Sequence, residues 1–112
     1  MSRITTHVLN TSRGRPAEGI KVVLCRMKID DWEVVANGQT NTDGRIMDWA
    51  AADGALEKGI YMLRFETMDY FDKLGEPSFY PFVEIHFEIT ADSHYHVPLL
   101  LNPYGYSTYR GS

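Results

Sequence analysis

The sequence has a single cysteine, Cys25, in 112 residues. That excludes an intramolecular disulfide and every C-x-x-C metal or redox pair. Cys25 sits in the apolar run KVVLCRM, the setting of a buried structural thiol. No apolar stretch approaches the roughly 20 residues of a membrane span. The N-terminal MSRITTHVLN lacks the long apolar segment of a secretory signal, so the expected compartment is the cytoplasm. Basic charge is scarce as well: 11 Lys and Arg stand against 15 Asp and Glu, a formal net charge of −4. With no basic run or stripe, nucleic acid is not an expected partner. The G-x-S-x-G elbow of α/β-hydrolases is missing. GRPAEG and GEPSFYP carry glycines, but not at the spacing of a phosphate loop.

What is present reads as one folded domain spanning residues 1–112, with 44% hydrophobic and 23% charged residues. A chain of this size buries a core but gains from oligomerisation. The dominant pattern has period two. In FVEIHFEIT, Val83, Ile85, Phe87 and Ile89 face one way, and Phe82, Glu84, His86 and Glu88 the other. HYHVPLLL sets Tyr95, Val97, Leu99 and Leu101 against His94, His96, Pro98 and Leu100. ITTHVLN, IKVVLCRMK, WEVVANGQ and IYMLRFE also read as strands, rich in β-branched and aromatic residues. NTSRGRPAEG, NTDGR, AADGALEKG, GEPSFYP, TADS and NPYG supply turns between them. The exception is TMDYFDKLG, where Met68, Phe71 and Leu74 recur at helical spacing and Gly75 provides a stop. The expected fold is an all-β sandwich or barrel with one short helix.

This pattern places the histidines. With Ile4, Thr6 and Val8 inward, His7 lies on the outer face of the first strand. With Tyr95 to Leu101 as the core set, His96 faces outward too. Leu9 and Leu100 leave that outer surface partly apolar, which predicts a covering subunit. His94 and His96 share one strand face and form the best metal candidate, but without an obvious third ligand. Taken alone, His7 and His96 fit a surface or interface role as well as a catalytic one. Arg45 in TDGRI fits an ordinary charge after a tight turn, and Tyr109, Arg110 and Ser112 fit a frayed tail. The residues by themselves define a soluble β-sandwich and leave its function open.

Longer stretches narrow the field. THVLNTSRGRPAEGIKVVL, TNTDGRI, GIYMLRFETMDYF, SFYPFVEIHF and HYHVPLLLNPYGYSTYRGS together resemble the 5-hydroxyisourate hydrolases, the enzyme branch of the transthyretin-like family. The resemblance covers nearly the whole chain in the family's order. Its closing Tyr109-Arg110-Gly111-Ser112 looks like the tetrapeptide that separates the hydrolases from transthyretin proper. It implies a transthyretin-like sandwich of two four-stranded sheets with one short helix. It also implies a homotetramer with active sites in clefts at a subunit interface. The catalytic residues it implies are His7 of HVLN, Arg45 of DGR, His96 of HVP and the final Ser112. His7, Arg45, Tyr109, Arg110 and Gly111 are the substrate-binding residues it implies. Asn10 stands where aspartate is expected and Asn102 where serine is common; neither is a proposed catalytic position.

The implied substrate is an oxidised purine, opened hydrolytically at a cyclic amide without metal or organic cofactor. Such a reaction needs an activated water, a stabilised carbonyl oxygen and a grip on a flat polar ring. A histidine serves as base, since its unperturbed pKa of roughly 6.5 lies near working pH. Arg45 offers a planar fork of donors with a permanent charge. Ser112 is expected to support the water or a histidine, through its hydroxyl or a terminal carboxylate. The family's other branch leaves an alternative, a small-molecule binding protein of the same fold without hydrolase activity.

Overall fold

Strict alternation of apolar and polar side chains makes strands that bury one face each, and such strands must pair into two facing layers. The computed structural model describes residues 3–49 and 56–112. The described residues form β1 (Arg3–Asn10), β2 (Arg15–Pro16), β3 (Lys21–Met27), β4 (Trp32–Gln39), β5 (Arg45–Ile46) and β6 (Gly59–Phe65). Helix α1 (Thr67–Lys73) follows, then β7 (Val83–Ile89), β8 (His94–Asn102) and β9 (Gly105–Thr108). One sheet has the order β2-β1-β8-β9 and the other β4-β3-β6-β7. This is the expected pair of four-stranded sheets, with one addition. The two-residue β5 joins β1 beside β2, so both short strands lie along the β1 edge opposite β8. The expected turn AADGALEKG falls partly on residues 50–55, outside the described residues.

The core lies between the sheets. Ile4, Val8, Leu99 and Leu101 meet Val22, Leu24, Leu63 and Phe65, all nearly inaccessible to solvent. The alternation read on β7 and β8 holds at Val83, Ile85 and Ile89 and at Tyr95, Val97, Leu99 and Leu101, all buried, whereas Phe87 is only half-buried against the core and Pro98, from the outer set, is buried as well. Cys25 is a buried free thiol, and burial pushes its pKa up. Helix α1 adds Phe71 to the core and ends at Gly75, whose φ of 72° suits glycine. No helix among the described residues is long and apolar enough to cross a membrane.

Most strand pairs are antiparallel, but β1 and β8 run parallel in unbroken register from Arg3↔His94 to Asn10↔Leu101. Parallel neighbours cannot be joined by a hairpin, so nearly the whole chain intervenes between them. The tip of β1 is fixed by Asn10, which is fully buried. Its Oδ1 accepts from Ser12 N–H at 3.1 Å and from the Ser12 hydroxyl at 2.7 Å. Its Nδ2 donates to the Tyr70 hydroxyl at 3.0 Å, tying the sheet to the helix. An amide serves both directions here without bringing a buried charge, which explains how asparagine fits this position. Removing the amide leaves these groups unpaired. Asn10→Ala is expected to cost about 2 kcal/mol of stability, measured by urea unfolding. A loss below about 0.5 kcal/mol, the range of surface substitutions, would contradict this role.

Candidate active site

Outward positions on β1 and β8 share one sheet surface. The register pairs Thr5 with His96 and His7 with Pro98. Thr5, His7, His94 and His96 therefore stand on the same outer face. On the other side of β1, β5 pairs His7 directly with Arg45 and Thr6 with Ile46. Directly opposed residues point the same way, so Arg45 joins His7 outside while Ile46, 3% exposed, enters the core with Thr6. The turn before β5 is built for this. Asn41 Oδ1 accepts from Asp43 N–H at 2.9 Å and Arg45 N–H at 3.0 Å. Gly44 has φ of 72°, and a Cβ there would strike the Val8 carbonyl oxygen. The glycine of TDGRI thus sets how closely Arg45 approaches β1.

The tail closes the other side. Around the Pro103–Tyr104 turn, where Asn102 Oδ1 accepts from Tyr104 N–H at 2.9 Å, β9 folds back on β8. Serine at 102 could accept the same bond, so asparagine is a tolerated exchange. The β8–β9 ladder stops at Leu99↔Thr108 and resumes as one bridge, His96↔Gly111. Between these pairings lies Pro98, which has no N–H to give. The Thr108 hydroxyl donates to the Pro98 carbonyl at 2.7 Å instead. Gly111 N–H then donates to the His96 carbonyl at 2.8 Å. A Cβ on Gly111 would lie 2.5 Å from His96 Cδ2, so only glycine lets the tail lie flat against this ring.

Of the residues singled out in the sequence, His7, Arg45, His96 and Gly111 come together here. Ser112 follows Gly111 and is exposed. Tyr109 is exposed, and Arg110 turns away from the cluster, its guanidinium 4.6 Å from the centre of the Tyr95 ring. Arg110 thereby anchors the tail. A groove of about 340 Å³ beside the tail includes His96, Tyr109 and Arg110 but neither His7 nor Arg45. His7, Arg45 and His96 are each half-buried on this outer sheet face.

Thr5 is the residue that strand patterning missed. It is fully buried although it belongs to the outer face. Its hydroxyl lies 2.7 Å from His94 Nε2 and 2.7 Å from His96 Nδ1. The metal candidate His94/His96 thus has one nitrogen of each ring engaged by Thr5, with ring centres 6.2 Å apart. Among the described residues, no three His, Cys, Asp or Glu side chains gather as a metal would require.

Residues 4–111 match the model of the HIUase/Transthyretin family. The chain belongs to this family. It is 51% identical to 5-hydroxyisourate hydrolase 2 of Rhizobium meliloti, covering 98% of this chain and 96% of that one. Its structure is similar to that of Klebsiella pneumoniae 5-hydroxyisourate hydrolase, with a TM-score of 0.88, 43% identity and complete coverage of both chains. Sea bream transthyretin, solved with thyroxine, matches as well in shape, with a TM-score of 0.90, but at 25% identity over 97% of this chain and 94% of that one. The shape is thus common to both branches of the family, and the sequence lies nearer the hydrolases.

Burial, and after it charge in the cluster, disfavours protonated histidine. Burial pushes the His7 imidazole below its ordinary value and Arg45 adds to this, while a hydrogen bond to the Asp43 backbone opposes it. Burial also lowers His96, followed by the charges of Arg45, His94 and His7. Both rings are accordingly neutral near pH 7, the state a base requires. The sign for stability follows. Below pH 6.5 the unfolded chain takes up protons that the folded rings resist, so stability falls with acidification and levels off above 6.5. An NMR titration is expected to give midpoints below 6.5 for both His7 and His96. A midpoint above 6.5 for either ring would contradict this electrostatic account.

Proposed function

We propose that this chain is a 5-hydroxyisourate hydrolase, opening a cyclic amide of an oxidised purine to give 2-oxo-4-hydroxy-4-carboxy-5-ureidoimidazoline. The observation that carries the reading is the meeting of His7, Arg45 and His96 on one sheet face, with the tail pinned to His96 by Gly111. The names and full-length similarity of its relatives support it.

In this mechanism a neutral histidine takes a proton from water as the water oxygen bonds to the amide carbonyl carbon. The C–N bond of the ring then breaks, and the proton passes to the departing nitrogen. Positioned base catalysis of this kind contributes on the order of 10²–10⁴-fold. Arg45 grips the urea-like edge of the ring and stabilises the developing oxyanion. Gly111 and Ser112 bound the space next to His96, with the serine hydroxyl available to the water. Arg110 holds the tail in place over Tyr95, and Tyr109 lines the groove beside His96. The chemistry asked of these side chains requires no cofactor.

The open face also calls for a partner subunit. Leu9 and Leu100 are half-buried on it, and Met47 is 38% exposed just beyond β5. A second copy covering this face would exclude water and turn the cluster into a cleft. The assembly proposed is a homotetramer with sites at a subunit interface. Analytical ultracentrifugation is expected to show tetramers; a monomer at micromolar concentration would refute the interfacial site.

The activity test generates 5-hydroxyisourate in place from urate and urate oxidase and follows its ultraviolet absorbance. The protein is expected to accelerate the decay. His96→Ala is expected to reduce that acceleration about 10²-fold or more. A well-folded protein that leaves the spontaneous decay unchanged would overturn the hydrolase in favour of a transthyretin-like binding protein.

A further inference from the structure

A hydroxyl group carries one proton, so the Thr5 oxygen can donate to only one of the two rings it touches. Both contacts are 2.7 Å, His94 through Nε2 and His96 through Nδ1. With the hydroxyl proton placed in one of the two contacts, two arrangements satisfy them with neutral rings. In one, Thr5 donates to His96 Nδ1 and accepts from His94 Nε2–H. His96 then carries its proton on Nε2 and cannot act as a base there. In the other, Thr5 accepts from His96 Nδ1–H and donates to His94 Nε2, which leaves a lone pair on His96 Nε2.

Resting on the hydrolase reading above, we propose that Thr5 is the positioning residue that holds His96 in the Nδ1–H tautomer, with His94 as the acceptor of the hydroxyl proton. The geometry fixes which nitrogen of His96 is engaged by Thr5, and the need for a base at the other selects the tautomer. Nδ1 of His96 is committed to a fully buried hydroxyl, so Nε2 is the ring nitrogen left to meet water. The Gly111 backbone lies against Cδ2 and limits rotation of the ring about its bond to the chain. Thr5 is directly opposite His96 in the parallel register, so the short contact is built into the sheet. Burial, and after it the positive charge of Arg45, disfavours a doubly protonated His96, so the ring keeps one bare nitrogen, and a base facing water needs it at Nε2. When Nε2 takes a proton from water, the imidazolium keeps its Nδ1–H bond to Thr5. The hydroxyl and His94 need not move during turnover.

The roles of the two outer histidines differ accordingly. His96 meets the reacting water, and His94 acts two steps away, through Thr5. An exposed histidine beside a catalytic strand thereby acquires a function that its own position would not suggest.

The test compares the whole protein with Thr5→Val, Thr5→Ser and His94→Ala by ring-nitrogen NMR and steady-state kinetics. Valine keeps the shape of threonine without the hydroxyl. In Thr5→Val, His96 is expected to lose its single Nδ1–H signature. Its kcat is expected to fall at least about tenfold with KM little changed, as for a base left in the wrong tautomer. Thr5→Ser restores both. His94 is exposed, so its replacement is compatible with folding even if valine at position 5 is not. His94→Ala frees the hydroxyl proton and shifts His96 toward Nε2–H. An Nε2–H tautomer in the wild type, or an unchanged His96 tautomer in His94→Ala, would overturn the proposal. The NMR readout holds whether or not the protein turns over 5-hydroxyisourate. Wild type with the expected tautomer but no activity would therefore refute the hydrolase reading and leave the tautomer assignment standing.

Discussion

The parallel pairing of β1 with β8 is the constraint on which the rest depends. It joins the two ends of the chain into the middle of one sheet. On the inner face it pairs Ile4 with Tyr95 and Val8 with Leu99, all buried in the core. On the outer face the same register sets Thr5 opposite His96 and places His7 one step further along. A shift of one residue would turn the histidines into the core and the leucines outward. The hydrophobic core therefore specifies the geometry of the polar cluster.

Around that pair, each neighbour contributes through backbone geometry as much as through side-chain chemistry. Gly44 lets the turn approach Val8 and delivers Arg45 beside His7. Pro98 interrupts the ladder to β9, and the tail re-pairs at Gly111 against His96. Arg110 stacks on Tyr95, whose hydroxyl bonds the backbone of residues 90 and 91. The tail is thus fastened at three points: Thr108, Arg110 and Gly111. A cationic residue this close to the last position holds the segment down, which a frayed terminus would not need. In the proposed mechanism, two uncharged imidazoles beside a fixed guanidinium divide the chemistry between proton transfer and charge stabilisation.

Much of this was legible in the residues. Period-two alternation identified the long strands, the buried sets on β7 and β8 and the outward faces of His7 and His96, because a half-buried strand has to alternate. Helical spacing identified α1. Three features were not legible. β2 and β5 have two residues each, too short for any period to register. Thr5 looks like any strand threonine, since the partners that define it lie 89 and 91 residues away. Arg110 carries the chemistry of a ligand-binding residue, but its placement over Tyr95 depends on how the tail detaches past Pro98. Local pattern sets which face a side chain takes, whereas long-range register sets what it meets there.

The central claim is that β1 and β8 build one catalytic unit from His7 and His96. A double-mutant cycle on kcat/KM for 5-hydroxyisourate, with His7→Ala, His96→Ala and both together, tests it most directly. Residues that serve a single proton-transfer step are strongly non-additive. The account predicts that the double variant is no slower than the more impaired single variant. Losses that multiply, each histidine contributing independently of the other, would contradict it.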